Sequence, residues 1–322
     1  MVASIALLAL GLASQYIAAF LDIADPSNLL PVGLIIVLSC AGCSVAAIVQ
    51  ARQQVRFLSV TGFLLAISKL LLCLALTAYI KLGAKGALFG VLLSITVYLF
   101  VALIYISYKG WFTKPLKVAE AIRFPKASIC LIALANVVLA TMCNADIIIV
   151  RNMFPEEMAN PYILAAVLGK AIIYLPSGLI LMMFAETSKR TAKEENATKL
   201  LWLNIGSTAV MGLAFSTFLY LAGSFIIDWV YDDKYPEAGY ILSLYGFVMI
   251  PIAIIVVIEH FLIARQRFAF TWIFIFSIPF QIIALLQWGQ HPLSILVQLF
   301  ISSTIILLLG GILNRHHLTA LR

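Results

Sequence analysis

Ten unbroken apolar stretches, each near the roughly 20 residues that a helix needs to cross a bilayer, constrain this chain more than any other feature. They lie at about 2–21, 30–49, 57–80, 87–107, 126–152, 160–185, 200–227, 238–264, 268–287 and 293–313. In hydrocarbon a continuous run must satisfy its own backbone N–H and C=O groups, so all ten are read as helices. The ten-residue alternation of barrel strands is absent. Of the 322 residues, 63% are hydrophobic and 11% charged, which excludes a water-soluble globular domain. The connecting loops are too short for a nucleotide-binding fold, and no Gly-x-x-x-x-Gly-Lys-Ser/Thr element is present. The expected class is an all-α integral membrane protein of about ten transmembrane helices in two bundles, four plus six.

Lys and Arg set the orientation. With the N-terminus inside, the inner segments hold Arg52, Arg56, Lys109, Lys114, Lys117, Arg123, Lys126, Lys189, Arg190, Lys193, Lys199, Arg265, Arg267, Arg315 and Arg322, 15 of the 21 basic residues. The outer segments hold Lys81, Lys85 and Lys234, and the acids lean outward: Asp22, Asp25, Glu156, Glu157, Asp228, Asp232, Asp233 and Glu237. Both termini are therefore expected in the cytoplasm. The net charge of +7 is a topology signal, and no soluble basic face is left for nucleic acid.

Segment 108–125 is the longest inner linker before the fifth span. Leu116, Ala119 and Ile122 recur in it at helical spacing among charges, which suits either a short interfacial helix or a solvated loop. The expected organisation is an incomplete N-terminal bundle over 1–107, this linker over 108–125, and a six-helix C-terminal bundle over 126–322.

The joint Ala51-Arg52-Gln53 between the second and third spans recurs as Ala264-Arg265-Gln266 between the eighth and ninth. The joints stand six spans apart, as in parallel six-helix repeats. Spans seven to ten would then match one to four, and the partners of spans five and six would precede Met1. The expectation is a chain lacking the first two of twelve helices.

Charge inside a span costs about 2.5–3.5 kcal/mol on insertion scales and marks functional candidates. Lys69 lies mid-span in the third helix, Asp146 and Arg151 in the outer half of the fifth, and Lys170 mid-span in the sixth. Asp146 and Lys170 sit on sequential antiparallel helices. They suit either a buried pair that fixes helix packing or, for Lys69, Lys170 and Arg151, the wall of a hydrated cavity that accepts an anionic head group. Glu259 and His260, a turn or two from Arg265, read as interfacial. Pro176 and Pro251 lie inside spans, where proline kinks a helix, as gating helices and ordinary membrane helices both allow. Asn160-Pro161 reads as a helix N-cap followed by proline at the first position.

Other motifs carry no chemistry. Cys40-Ala-Gly-Cys43 sits in an apolar span without the α/β context of a redox motif, and Cys73, Cys130 and Cys143 behave as small hydrophobes. His291, His316 and His317 lack partners at metal spacing. The sequon at Asn196 falls inside, and no nucleophile with base and orienter is visible. No cofactor is expected.

The stretch Asn144-Ala-Asp146 to Arg151-Asn-Met-Phe-Pro-Glu156-Glu157, followed by Asn160-Pro-Tyr162 to Gly169-Lys170 and Leu175-Pro176, resembles the seventh and eighth helices of polysaccharide flippases of the Wzx type. These belong to the multidrug/oligosaccharidyl-lipid/polysaccharide superfamily. Gln50 to Phe57, then Lys69-Leu-Leu-Leu and Gly83-Ala-Lys-Gly86-Ala, is similar to the fourth to sixth helices. The likeness spans essentially the whole chain through loose, hydrophobic motifs. Where members have a Gly near the start of the eighth helix, this chain has Asn160-Pro161 before Tyr162.

The resemblance implies a two-bundle transporter that flips undecaprenyl-pyrophosphate-linked oligosaccharide across a bacterial cytoplasmic membrane by alternating access. It implies coupling to an H+ or Na+ gradient, and other polysaccharide-assembly membrane proteins as partners. A multidrug or cation antiporter would want cavity carboxylates, whereas Lys69, Arg151 and Lys170 outnumber Asp146 here. A lipid II flippase is usually richer in Arg in its first bundle. A membrane glycan transferase commonly uses a large outer loop, and the longest here is about 228–237. An inactive truncated homologue is the remaining alternative.

Overall fold

The computed structural model describes residues 11, 15, 16, 20, 26–52, 54–111, 126–231, 234–267, 269–289 and 291–313. Most of the first apolar stretch and of the 108–125 linker lies outside these. Among the described residues every regular element is a helix, and eight segments are long and apolar enough to cross a bilayer. The chain is an all-α, multi-pass membrane protein. It divides into two compact units, Met1–Ile122 and Arg123–Arg322.

The first unit contains α1 (Leu29–Ala51), α2 (Val55–Leu74) and α3 (Gly83–Tyr108), with a π-helical turn at Ala75–Tyr79 continuing α2. Glycine lets α2 and α3 close on each other. A Cβ on Gly90 would stand 2.7 Å from the backbone nitrogen of Cys73, so only a bare Cα fits there. A small core of Val45, Val49, Leu99, Ala102 and Ile106 joins α1 to α3. Most of α2 remains exposed, Lys69 included.

The second unit contains α4 (Lys126–Met153), α5 (Glu156–Gly169), α6 (Ala171–Tyr174), α7 (Ser177–Ala192), α8 (Thr198–Tyr231), α9 (Pro236–Ala264), α10 (Ala269–Trp288) and α11 (Pro292–Leu313). Buried around its whole circumference, α9 takes the centre of this unit. It packs along α8 and also touches α5, α7 and α11. Small residues set the α8–α9 approach: a Cβ on Gly239 would meet the Cα of Ser224 at 2.7 Å, and one on Gly246 the Cα of Ser216 at 3.1 Å. Since the first of these neighbours is backbone, Gly239→Ala must push the helices apart. We expect a loss of about 1–3 kcal/mol, read as a lower unfolding midpoint of the solubilised protein.

Two sequence expectations change here. α5 starts at Glu156 behind Pro155, not at Pro161, because two carboxylates in its first turn complement the helix dipole. Pro161 is an internal proline of that helix, and Asn160 caps nothing. The paired Ala-Arg-Gln joints close alike: the Gln54 N–H donates to Val49 O at 3.3 Å and the Arg267 N–H to Leu262 O at 2.9 Å. This bond spans the last helical turn in a Schellman closure, with Gln266 left-handed at φ 56°. The same bond joins Trp111 to Ile106 and Glu195 to Arg190, without Ala-Arg-Gln. The shared geometry thus recurs at several helix C-termini of this chain, and weakens the tripeptide as a repeat marker.

Candidate functional site

The sixth apolar stretch is a broken helix. α5 ends at Gly169, the Ile173 N–H reaches back only three residues to Lys170 O at 3.0 Å, and α7 resumes at Ser177. Pro176 has no N–H to give the Ile172 carbonyl, which explains the second interruption. The helix is thus interrupted at Pro176, whereas α9 runs through Pro251 without a break. Gly169 is required at the first interruption, because a Cβ there would run into the ring of Tyr245.

At that break Lys170 turns toward α4. Its Nζ lies 3.0 Å from Asp146 Oδ1 and 3.5 Å from Asn144 Oδ1. Asp146 Oδ2 accepts from the Tyr162 hydroxyl at 3.2 Å and from the Tyr245 hydroxyl. Asp146 is 0% exposed and Lys170 7%. The two rings meet edge to face, centroids 5.8 Å apart, so α4, α5 and α9 converge on one carboxylate. Asp146 stands seven residues from the C-terminal end of α4, about 10 Å at 1.5 Å per residue.

The pairing of Asp146 with Lys170 expected from antiparallel neighbours is realised. Arg151 is not in the cluster: its guanidinium bonds Glu156 at 3.2 Å across the α4–α5 turn. Lys69 belongs to the other unit, on the exposed side of α2. The tyrosines escaped sequence reading, since Tyr245 stands 99 residues from Asp146. The available signal was physical: a buried carboxylate needs more donors than one ammonium supplies.

Glu259 corrects the interfacial reading. It is 2% exposed, and neither carboxyl oxygen has a hydrogen-bond partner among the described residues. Its side chain is too short to reach past the helices around α9. His260 is half-buried with Nδ1 2.8 Å from Val256 O. Beyond the helix end, partial burial and then the neighbouring Arg267 lower the Arg265 guanidinium from its usual range.

Chemically, the cluster is a buried ion pair. An anion that drew Lys170 away would leave Asp146 two neutral hydroxyl donors and no counter-charge, so the ammonium changes partner only at the cost of a buried, uncompensated carboxylate. No family model, curated protein or solved structure matches the chain.

Proposed function

We propose that this protein is a transporter, not an enzyme, that moves undecaprenyl-pyrophosphate-linked oligosaccharide from the inner to the outer leaflet of a bacterial cytoplasmic membrane, with both termini cytoplasmic. The observation that carries the reading is the Lys170–Asp146 pair, buried at a helix break in a multi-pass chain. A polar glycan on a pyrophosphate cannot cross about 30 Å of hydrocarbon without a lined path. An ammonium in that setting is a point-charge partner for a phosphate. Lys69, exposed in an apolar helix of the other unit, is a separate cationic candidate. Membrane proteins that build and polymerise the glycan are its partners.

The deciding experiment is the leaflet distribution of lipid-linked glycan in cells with and without the gene, read with an impermeant probe. We expect repeat units to accumulate on the cytoplasmic side without it, and Lys69→Ala to reproduce the accumulation in part. An unchanged distribution overturns the reading. A second reading, a cation or multidrug antiporter, is favoured by buried Glu259, which narrows the excess of basic over acidic groups within the spans. Altered drug sensitivity with unaltered glycan distribution would select it.

A further inference from the structure

We propose that Glu259 is a binding site for a monovalent cation, a proton or a sodium ion, and, on the transporter reading above, the point at which an ion gradient is coupled to movement. The carboxyl is 2% exposed on the central helix, and neither oxygen has a partner among the described residues. A carboxylate removed from water is stabilised by donors, a counter-ion or a bound cation. The first two are not supplied at Glu259 by the described residues.

Around α9 the carboxyl points away from α8. Gly246 and Ile250 face Ser216 and Gly212 of α8, and at about 100° per residue Glu259 stands on the opposite side, close to the direction of Tyr245. An oxygen ligand is offered by α7, which also packs on α9: its Thr187 stands five residues from the end of α7, as Glu259 does from the end of α9. The Thr187 hydroxyl, like the carboxyl, is buried without a partner among the described residues. Carboxylate and hydroxyl oxygens are the hard ligands a small cation takes.

No charged group of the packed helices takes that role. Lys170 is held by Asp146, and Arg190 of α7 by Glu186 at 2.9 Å. Lys189 and Lys199 are exposed near the inner ends of α7 and α8, and the His260 ring is engaged by its own helix. Described α10 and α11 carry no charged residue. Cys143 of α4 lies within electrostatic reach of Glu259.

The test labels the purified full chain with dicyclohexylcarbodiimide, which modifies protonated carboxyls in apolar surroundings, from mildly acid to alkaline pH in choline or sodium chloride, with adducts located by mass spectrometry. We expect an adduct on Glu259 that falls about tenfold per pH unit once the carboxyl titrates and is absent from Glu259→Gln. Severalfold protection by sodium over choline identifies sodium, and equal labelling in both salts identifies the proton. The unfolding midpoint should respond to that same cation in the wild type and not in Glu259→Gln. No adduct on Glu259, or one indifferent to both pH and sodium, overturns the proposal. Labelling requires no transport, so this result and the leaflet result succeed or fail separately.

Discussion

Lys170→Ala is expected to cost about 3–5 kcal/mol of folding stability, because it leaves Asp146 buried with its charge uncompensated. The two tyrosine hydroxyls remain, but they are neutral donors and cannot replace the ammonium. Unfolding of the solubilised variant by heat or denaturant reads the loss, and poor recovery of monodisperse protein is its coarser sign. The double variant Asp146→Asn with Lys170→Met removes both charges at similar volume and should recover most of the stability. That pair of variants separates packing from chemistry. A double variant that folds but leaves glycan on the inner leaflet shows that the ammonium meets the substrate, and one that folds and transports shows a pair that only holds α4 against α5.

The second large effect is expected at Gly169→Ala. The new methyl would occupy the place of the Tyr245 ring, and displacing the ring withdraws its hydroxyl from Asp146. Overpacking of this kind costs about 1–3 kcal/mol, and losing a hydrogen bond to a charged acceptor about 1.5–3 kcal/mol. The two losses share one cause, so they should not add in a double-mutant cycle. In a Tyr245→Ala background the methyl has room, and Gly169→Ala should then be nearly neutral to the unfolding midpoint. A full penalty in that background would place the cause elsewhere in the break.

The extent of the helices along the chain was legible in the sequence, and direction around each helix was not. Hydrocarbon leaves a long apolar run one backbone solution, so the expected 238–264 and 293–313 became Pro236–Ala264 and Pro292–Leu313. The start of α5 was misplaced because Asn160-Pro161 mimics a cap, while the operative signal was Pro155 with two carboxylates behind it. Glu259, read as interfacial from its distance to Arg265, is buried instead. Composition could not tell which helix is surrounded, because α3 and α11 are as uniformly apolar as α9 and far more exposed, and in lipid an apolar face suits protein and hydrocarbon alike. Tyr245 carried no mark either, because its role exists only where α4, α5 and α9 meet.

The position of the ion pair on two consecutive segments also bears on how the chain is made. Released singly into lipid, α4 would carry an uncompensated carboxylate and the segment from α5 to α7 an uncompensated ammonium, each at about 2.5–3.5 kcal/mol. Together they neutralise each other across a turn of two residues, Phe154 and Pro155. The insertion machinery is therefore favoured to hold α4 until its successor emerges and to release both as one hairpin. The contact that locks the finished bundle thereby sets when its parts leave the insertion machinery for the lipid.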